Sequence, residues 1–245
     1  MNAPCSHAVQ PRHNQLLASL PADEWHRWQP HLEPVCMTRG QVLCEAGRTP
    51  AYVYFPTTAI VSLLYTTQEG SSAEIAVVGN EGLVGISVFM GGNATPNQAV
   101  VQSAGHGYRL RAQLVKDEFS RGGPVLVMLL RYTQTMIAHV AQTALCNRFH
   151  SIDQQLCRRL LLGLDRLPSY ELAMTQELLA SLLGVRREGV TAAALKLQQA
   201  GVIRYRRGHI DVLDRPRLEQ LTCECYTATR NEHRRLMPMP MPLAA

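Results

Sequence analysis

Three periods of apolar residues follow one another along the chain, and each predicts a different kind of element. Over residues 14–32, Leu16, Leu17, Leu20, Trp25, Trp28 and Leu32 fall at helical spacings interrupted by Pro21. Over 34–111 the texture changes to short apolar runs at 52–55, 59–65, 73–78 and 97–102, with Gly40, Gly47, Gly70, Gly79 and the Gly91-Gly92 pair between or beside them. Short, regularly spaced runs with glycine turns predict the strands of a sandwich or jelly roll. A long helix then begins near Pro124, because proline suits a first helical turn and Gly122-Gly123 precede it. Its stripe Val125, Leu129, Tyr132, Met136, Val140, Thr143 advances by four, three, four, four and three, close to the seam of a helical pair. Between 125 and 145 only Arg131 and His139 interrupt the apolar and neutral residues. A helix apolar on all sides seeks burial on more than one of them. Leu129, Tyr132, Met136, Val140 and Thr143 are therefore expected at a dimer seam, with packing on the parent domain as the alternative. A further helix is predicted over 152–167, closed by Pro168.

Residues 174–211 read as two helices and a hairpin. Thr175 is placed to cap a helix whose inner face is Leu178, Leu179 and Leu182. Gly184 supplies the sharp turn of a helix-turn-helix. A second helix, from about 186 to 199, turns Val190, Ala194 and Leu197 inward and leaves Arg187, Glu188 and Ala192 on its opposite face. Gly201 ends it, and VIRYRRGHIDV alternates as a hairpin turning at Arg207-Gly208.

Composition and charge narrow the function class. Hydrophobic residues make up 46% and charged residues 18% of 245, the balance of a folded chain long enough for two domains. No eighteen-residue apolar run is present, so no membrane partner is expected. The first residues lack the pattern of a secretion signal, and a cytoplasmic location is the expectation. Seven scattered cysteines, an odd number, argue for reduced thiols over a disulfide framework. The net charge of +5 is mild, but Arg186, Arg187, Lys196, Arg204, Arg206 and Arg207 face only Glu188 across their segment. That density suits a polyanion, although charge alone fits a solvated surface equally well. Neither H-E-x-x-H, G-x-S-x-G nor a P-loop occurs, and Glu74, Glu81 and Glu171 lack an evident catalytic partner. The chain is not expected to be an enzyme.

The segment G-V-R-R-E-G-V, with its Arg187-Glu188 pair, resembles the turn and recognition-helix start of the Crp/Fnr superfamily, whose founding member is the cyclic-AMP receptor protein. The resemblance extends over most of the chain and implies an α+β architecture. An N-terminal β-roll (jelly-roll) sensor with its helices would occupy residues 1–122, a dimerisation helix 123–148, a winged helix-turn-helix 149–236 and a disordered tail 237–245. It also implies a homodimer on double-stranded DNA with an inverted repeat, and contact with RNA polymerase when the protein activates. Arg187 would donate two bonds to a guanine and Glu188 would accept from a cytosine amino group. Thr175, Arg186, Gly189, Thr191, Arg204, Arg206, Arg207 and His209 would make backbone or additional contacts. Two departures matter: Arg186 stands where relatives often carry a serine or threonine cap, and Ala192 replaces a further base-contacting arginine.

In the family, a cassette in the β-roll holds a cyclic nucleotide. Aligned on Leu83-Val84-Gly85, its ribose-binding glutamate falls on Ile86 and its phosphate-binding arginine on Asn97, next to Gln98. A buried phosphate requires a cation or several donors. Gly85, Ile86, Asn97 and Gln98 thus form a degenerate effector pocket, and cyclic AMP is not the expected ligand. A regulator gated by a cyclic nucleotide or dinucleotide through an unusual cassette is the alternative. Only Cys5 lies near the N-terminus, which does not support an iron–sulfur cluster there. Cys223 and Cys225 form C-x-C, but with His209 or His233 their spacing fits no standard zinc pattern, and packing is the simpler role. His106 and His139 are haem candidates only as isolated histidines. No cofactor and no metal follow from the sequence.

Overall fold

The computed structural model describes residues 9–92, 94–167, 171–206 and 208–237, with Glu171 described by its backbone alone. Two compact units emerge. One holds the described residues up to 62, those over 78–137, and those from 232 onward; the other holds 63–77 and 138–231. No described helix is long and apolar enough to cross a membrane.

The first unit opens with helices α1 (Gln15–Ala18) and α2 (Ala22–Trp28), separated at Pro21 as the sequence predicts. Asn14 caps α1 by accepting from the Leu16 and Leu17 N–H groups. Its amide donates to the Pro56 and Gly82 carbonyls at 2.9 and 2.8 Å, which explains full burial of a polar residue. The strands are β1 (Glu33–Met37), β2 (Val42–Cys44), β3 (Tyr52–Pro56), β4 (Ile60–Thr66), β5 (Ser72–Val78), β6 (Gln98–Ser103) and β7 (Gly105–Arg111). They form one sheet in the order β1-β7-β3 and another in the order β2-β6-β4-β5. Alternate residues of β3, β6 and β7, such as Val53, Phe55, Ala99, Val101, Tyr108 and Leu110, are buried, as the period of two predicts. Helix α3 (Ala112–Arg121), which the sequence reading did not separate from the sensor domain, follows β7. Reduced thiols are found at Cys44, Cys146, Cys157, Cys223 and Cys225. Cys36 departs from that expectation: it is disulfide-bonded.

Helix α4 (Gly123–Phe149) runs on from the first unit, and its two faces reverse the sequence expectation. Leu129, Tyr132 and Met136, expected at a dimer seam, are 0%, 2% and 7% exposed within the single chain. The Tyr132 hydroxyl donates to the Leu83 carbonyl at 2.9 Å, and a Cβ at Gly82 would collide with its ring. Val140 and Thr143 continue that face and are half-buried. The exposed apolar residues are instead Val127 (46%), Leu130 (52%), Ile137 (61%) and Leu145 (43%). At 100° per residue these four fall within about 80° of one another, opposite the buried stripe.

The second unit contains α5 (Ile152–Leu164), β8 (Glu171–Leu172), α6 (Gln176–Leu183), α7 (Arg187–Gln199), β9 (Ile203–Arg206), β10 (His209–Val212), α8 (Arg215–Leu221) and α9 (Cys225–Leu236), whose last residues belong to the first unit. A capping box between Ser151 and Gln154 starts α5. Where a simple two-stranded hairpin was expected, the wing is a three-stranded sheet, β8-β10-β9. The wing is followed by two helices, α8 capped by Asp214 and α9 beginning at Cys225. The Tyr226 hydroxyl lies 3.0 Å from the Asp165 carboxylate, which also pairs with Arg215; this ties α9 to α5 and α8. Burial pushes the Tyr226 phenol up to about 12, and the Asp165 charge adds to the shift.

Glu74, without a partner in the sequence reading, has one in the fold. Arg159 of α5 grips its carboxylate through two nitrogens, at 2.7 and 3.0 Å, and both side chains are buried. Burial draws the Arg159 pKa below its ordinary value, and the Glu74 charge opposes that fall. Removing one member of a buried pair strands the other charge, at a cost of about 3–5 kcal/mol. Glu74→Ala is expected to lower the urea midpoint accordingly, and Glu74→Leu combined with Arg159→Met is expected to recover most of the loss.

Candidate DNA interface

Gly184 ends α6 in the left-handed region at φ 65°, with the Val185 N–H returning to the Ala180 carbonyl at 3.0 Å. Thr175 caps the other end of α6, its hydroxyl accepting from the Leu178 N–H at 3.0 Å. Helix α7 buries Val190, Ala193, Ala194 and Leu197 while Arg187, Glu188, Thr191 and Ala192 stay exposed. One face is therefore anchored in the unit, and the N-terminal part of the other is open.

The anchoring is close. A Cβ at Gly189 would lie 2.8 Å from Ile152 of α5. Gly189, expected among the DNA contacts, lies where α7 passes close to α5. The Thr191 hydroxyl lies 2.9 Å from Gln176 Oε1 and 3.0 Å from the Arg187 carbonyl, joining the start of α6 to the first turn of α7. Lys196 pairs with Asp153 at 2.7 Å on the surface.

Arg186 occupies the N-cap position of α7 with no side-chain cap, in keeping with its departure from the usual serine or threonine. Among the described residues no ion pair engages Arg186, Arg187, Glu188 or Arg204. On the wing, Arg204 and Arg206 are exposed while Tyr205 between them is half-buried, donating from its hydroxyl to the Met174 carbonyl at 3.3 Å. Arg206 lies 3.6 Å from Asp211, and His209 is exposed beside it in register. Gly208 at φ 80° turns the hairpin, where a Cβ would meet the Thr175 methyl at 3.5 Å. Arg207 lies outside the described residues. Exposed cations on the wing and an open first turn of α7 thus belong to one unit.

The degenerate cassette has its own geometry. Gly85 adopts φ 112° and starts the 3-10 turn Ile86–Val88, with Ile86 half-buried. The Thr95 hydroxyl donates to the Asn97 side-chain oxygen, and the Gln98 amide donates to the Glu45 carboxylate at 2.9 Å.

What sequence reasoning missed is the outward stripe of α4, whose residues Val127, Leu130, Ile137 and Leu145 are visible in the sequence as a second apolar face.

A model of the cyclic nucleotide-binding domain matches residues 34–121, and a model of the Crp-like helix-turn-helix domain matches residues 154–221. No curated protein matches the chain. Several solved structures are similar in fold. A CRP/FNR-family transcriptional regulator from Thermus thermophilus is 22% identical with a TM-score of 0.62, over 77% of this chain and 97% of its own. FixK2 from Bradyrhizobium japonicum is 16% identical with a TM-score of 0.66, over 78% and 98%. CLP from Xanthomonas campestris, described as a c-di-GMP-responsive global regulator, is 16% identical with a TM-score of 0.62, over 79% and 100%. A cyclic nucleotide-binding domain followed on one chain by a Crp-like helix-turn-helix domain is the pairing of the Crp/Fnr superfamily of transcription regulators, and the protein belongs to it.

Proposed function

We propose that the protein is a homodimeric, sequence-specific DNA-binding regulator, not an enzyme, that acts on an inverted-repeat operator in the cytoplasm. Its sensor is residues 1–122, its dimer helix 123–148 and its reader 149–236. The observation that carries this reading is the first turn of α7, where Arg187 and Glu188 stand exposed while the opposite face of the helix is buried. A helix of this size fits the major groove. Arginine there reads guanine O6 and N7; a glutamate among phosphates is costly unless it accepts from a cytosine amino group. Thr175, Arg186, Thr191, Arg204, Arg206 and His209 take roles that fix position on the sugar–phosphate backbone. An activating protein would also touch RNA polymerase, and a repressor would act by blocking the promoter.

The dimer forms through the outward stripe of α4, Val127, Leu130, Ile137 and Leu145, in place of the buried stripe. Exposed large apolar side chains repeated along one helix face need a covering surface, and a second copy brings two reading helices to two half-sites. Cyclic AMP is not the effector: Ile86 offers no polar group, and Gln98 is engaged by the acid Glu45. A reading in which a cyclic dinucleotide gates the protein draws support from the matched cyclic nucleotide-binding domain and from the c-di-GMP response of the Xanthomonas relative.

Arg187→Ala is expected to weaken operator binding by about 1–3 kcal/mol and to relax the preference at one base pair. Titration against operator and random duplexes checks this, and equal losses on both would refute base reading. Ile137→Glu is expected to yield monomers by light scattering and to lose operator affinity. Met136→Glu, on the buried face, should instead lower thermal stability, and an Ile137→Glu variant that stays dimeric would exclude the outward stripe.

A further inference from the structure

Four candidate ligands meet where the sequence offered only two. Cys146 and His150 stand one helical turn apart, four residues, at the end of α4. Cys223 lies in the break between α8 and α9, and Cys225 begins α9. Their ligand atoms all fall within 4.8 Å of one another. The sequence set Cys223 and Cys225 beside His209 or His233; the fold supplies Cys146 and His150 instead. The usable local signal is the C-x3-H spacing on a helix, and what hides it is the 73 residues from His150 to Cys223 (223 − 150).

We propose that Cys146, His150, Cys223 and Cys225 form a closed, tetrahedral structural site for zinc. The distances suit the ion. Zinc–sulfur bonds of about 2.3 Å at tetrahedral angles place two sulfurs about 3.8 Å apart, and a sulfur and an imidazole nitrogen about 3.5 Å apart. Here Cys146 Sγ and Cys223 Sγ are 3.6 Å apart, and Cys225 Sγ and His150 Nδ1 are 3.4 Å apart.

The surroundings fit a metal better than a packed cluster of thiols. His150 turns Nδ1 toward the sulfurs, while Nε2 lies 3.2 Å from the Glu224 carboxylate. A carboxylate on the far nitrogen is how metal-bound histidines are held in one tautomer and orientation. The Gln142 amide donates to Cys225 Sγ at 3.0 Å, a contact that a thiolate strengthens. All three cysteines are buried, at 0%, 3% and 0% exposure. Small apolar side chains would fill that space without a half-buried imidazole and its acid partner. Four protein ligands leave no position for a substrate, so the site is structural and not catalytic. Bound there, zinc would pin the start of α9 and the preceding loop to the end of α4.

The site stands apart from DNA recognition, since a chain that bound no operator would still hold or lack the metal. Metal analysis of the full chain, purified without chelator, is expected to find about one zinc per chain. Cys157→Ser should keep the zinc; His150→Ala and Cys225→Ser should lose it. Glu224→Gln, which touches no metal, should lower zinc affinity by about 10–100-fold. In case the ligand variants do not fold, cobalt(II) is added to the metal-stripped wild type. Intense visible bands with thiolate charge transfer indicate a tetrahedral sulfur-rich site and support the assignment. Weak octahedral bands, zinc removed by simple gel filtration, iron in place of zinc, or a Cys146–Cys223 disulfide in metal-free protein purified under reducing conditions would overturn it.

Discussion

The reading surface depends on how closely α7 lies on α5. Gly189 marks the close approach: a Cβ there would lie 2.8 Å from the end of the Ile152 side chain, which would have to move to admit it. Gly184 sets the direction, holding a left-handed turn between α6 and α7 that an L side chain adopts at a cost of about 1–2 kcal/mol. With Val190, Ala194 and Leu197 locked inward, three and four residues apart, the outward direction of Arg187 and Glu188 follows from helical periodicity. The proposed base recognition would require this rigidity, because a bidentate pair discriminates only when its arginine is held in one place.

The same economy appears in the anchoring of the rest of the second unit. Arg159 and Glu74 form a buried pair between α5 and β5. Asp165, Arg215 and Tyr226 join α5, α8 and α9, and the cysteine–histidine group joins α4 and α9. Each is a polar or metal-type contact between segments far apart in sequence, so each depends on the fold being complete. Helix α5 takes part in two of them and also receives α7, which makes it the frame on which the reading helix is mounted.

Local chemistry explains which parts were legible in the sequence. Thr175 as a cap, Gly184 as the turn, the inward set of α7 and the strand runs at 52–55 and 73–78 are short-range signals, and they reappear as elements. Helix α4 misled because it is apolar on both faces. Periodicity finds such a helix but cannot say which face meets its own sheet; that was decided by Tyr132 reaching the Leu83 carbonyl beside Gly82. Glu74 and Arg159, separated by 85 residues, give no local sign of each other. The contacts of Cys146 and His150 with Cys223 and Cys225 are hidden in the same way, with the helical C-x3-H spacing as the one local trace. At the sensor, absence of an expected arginine was legible at Asn97, but the acid Glu45 beside Gln98 was visible only in the fold.

Selection of bound duplexes from a random pool by the purified full-length protein tests paired groove reading most directly. The expected product is one inverted repeat whose half-sites are centred about 34–36 Å apart, one helical turn, or a multiple of it. Enrichment of a single unrepeated half-site, or of no sequence at all, would contradict it.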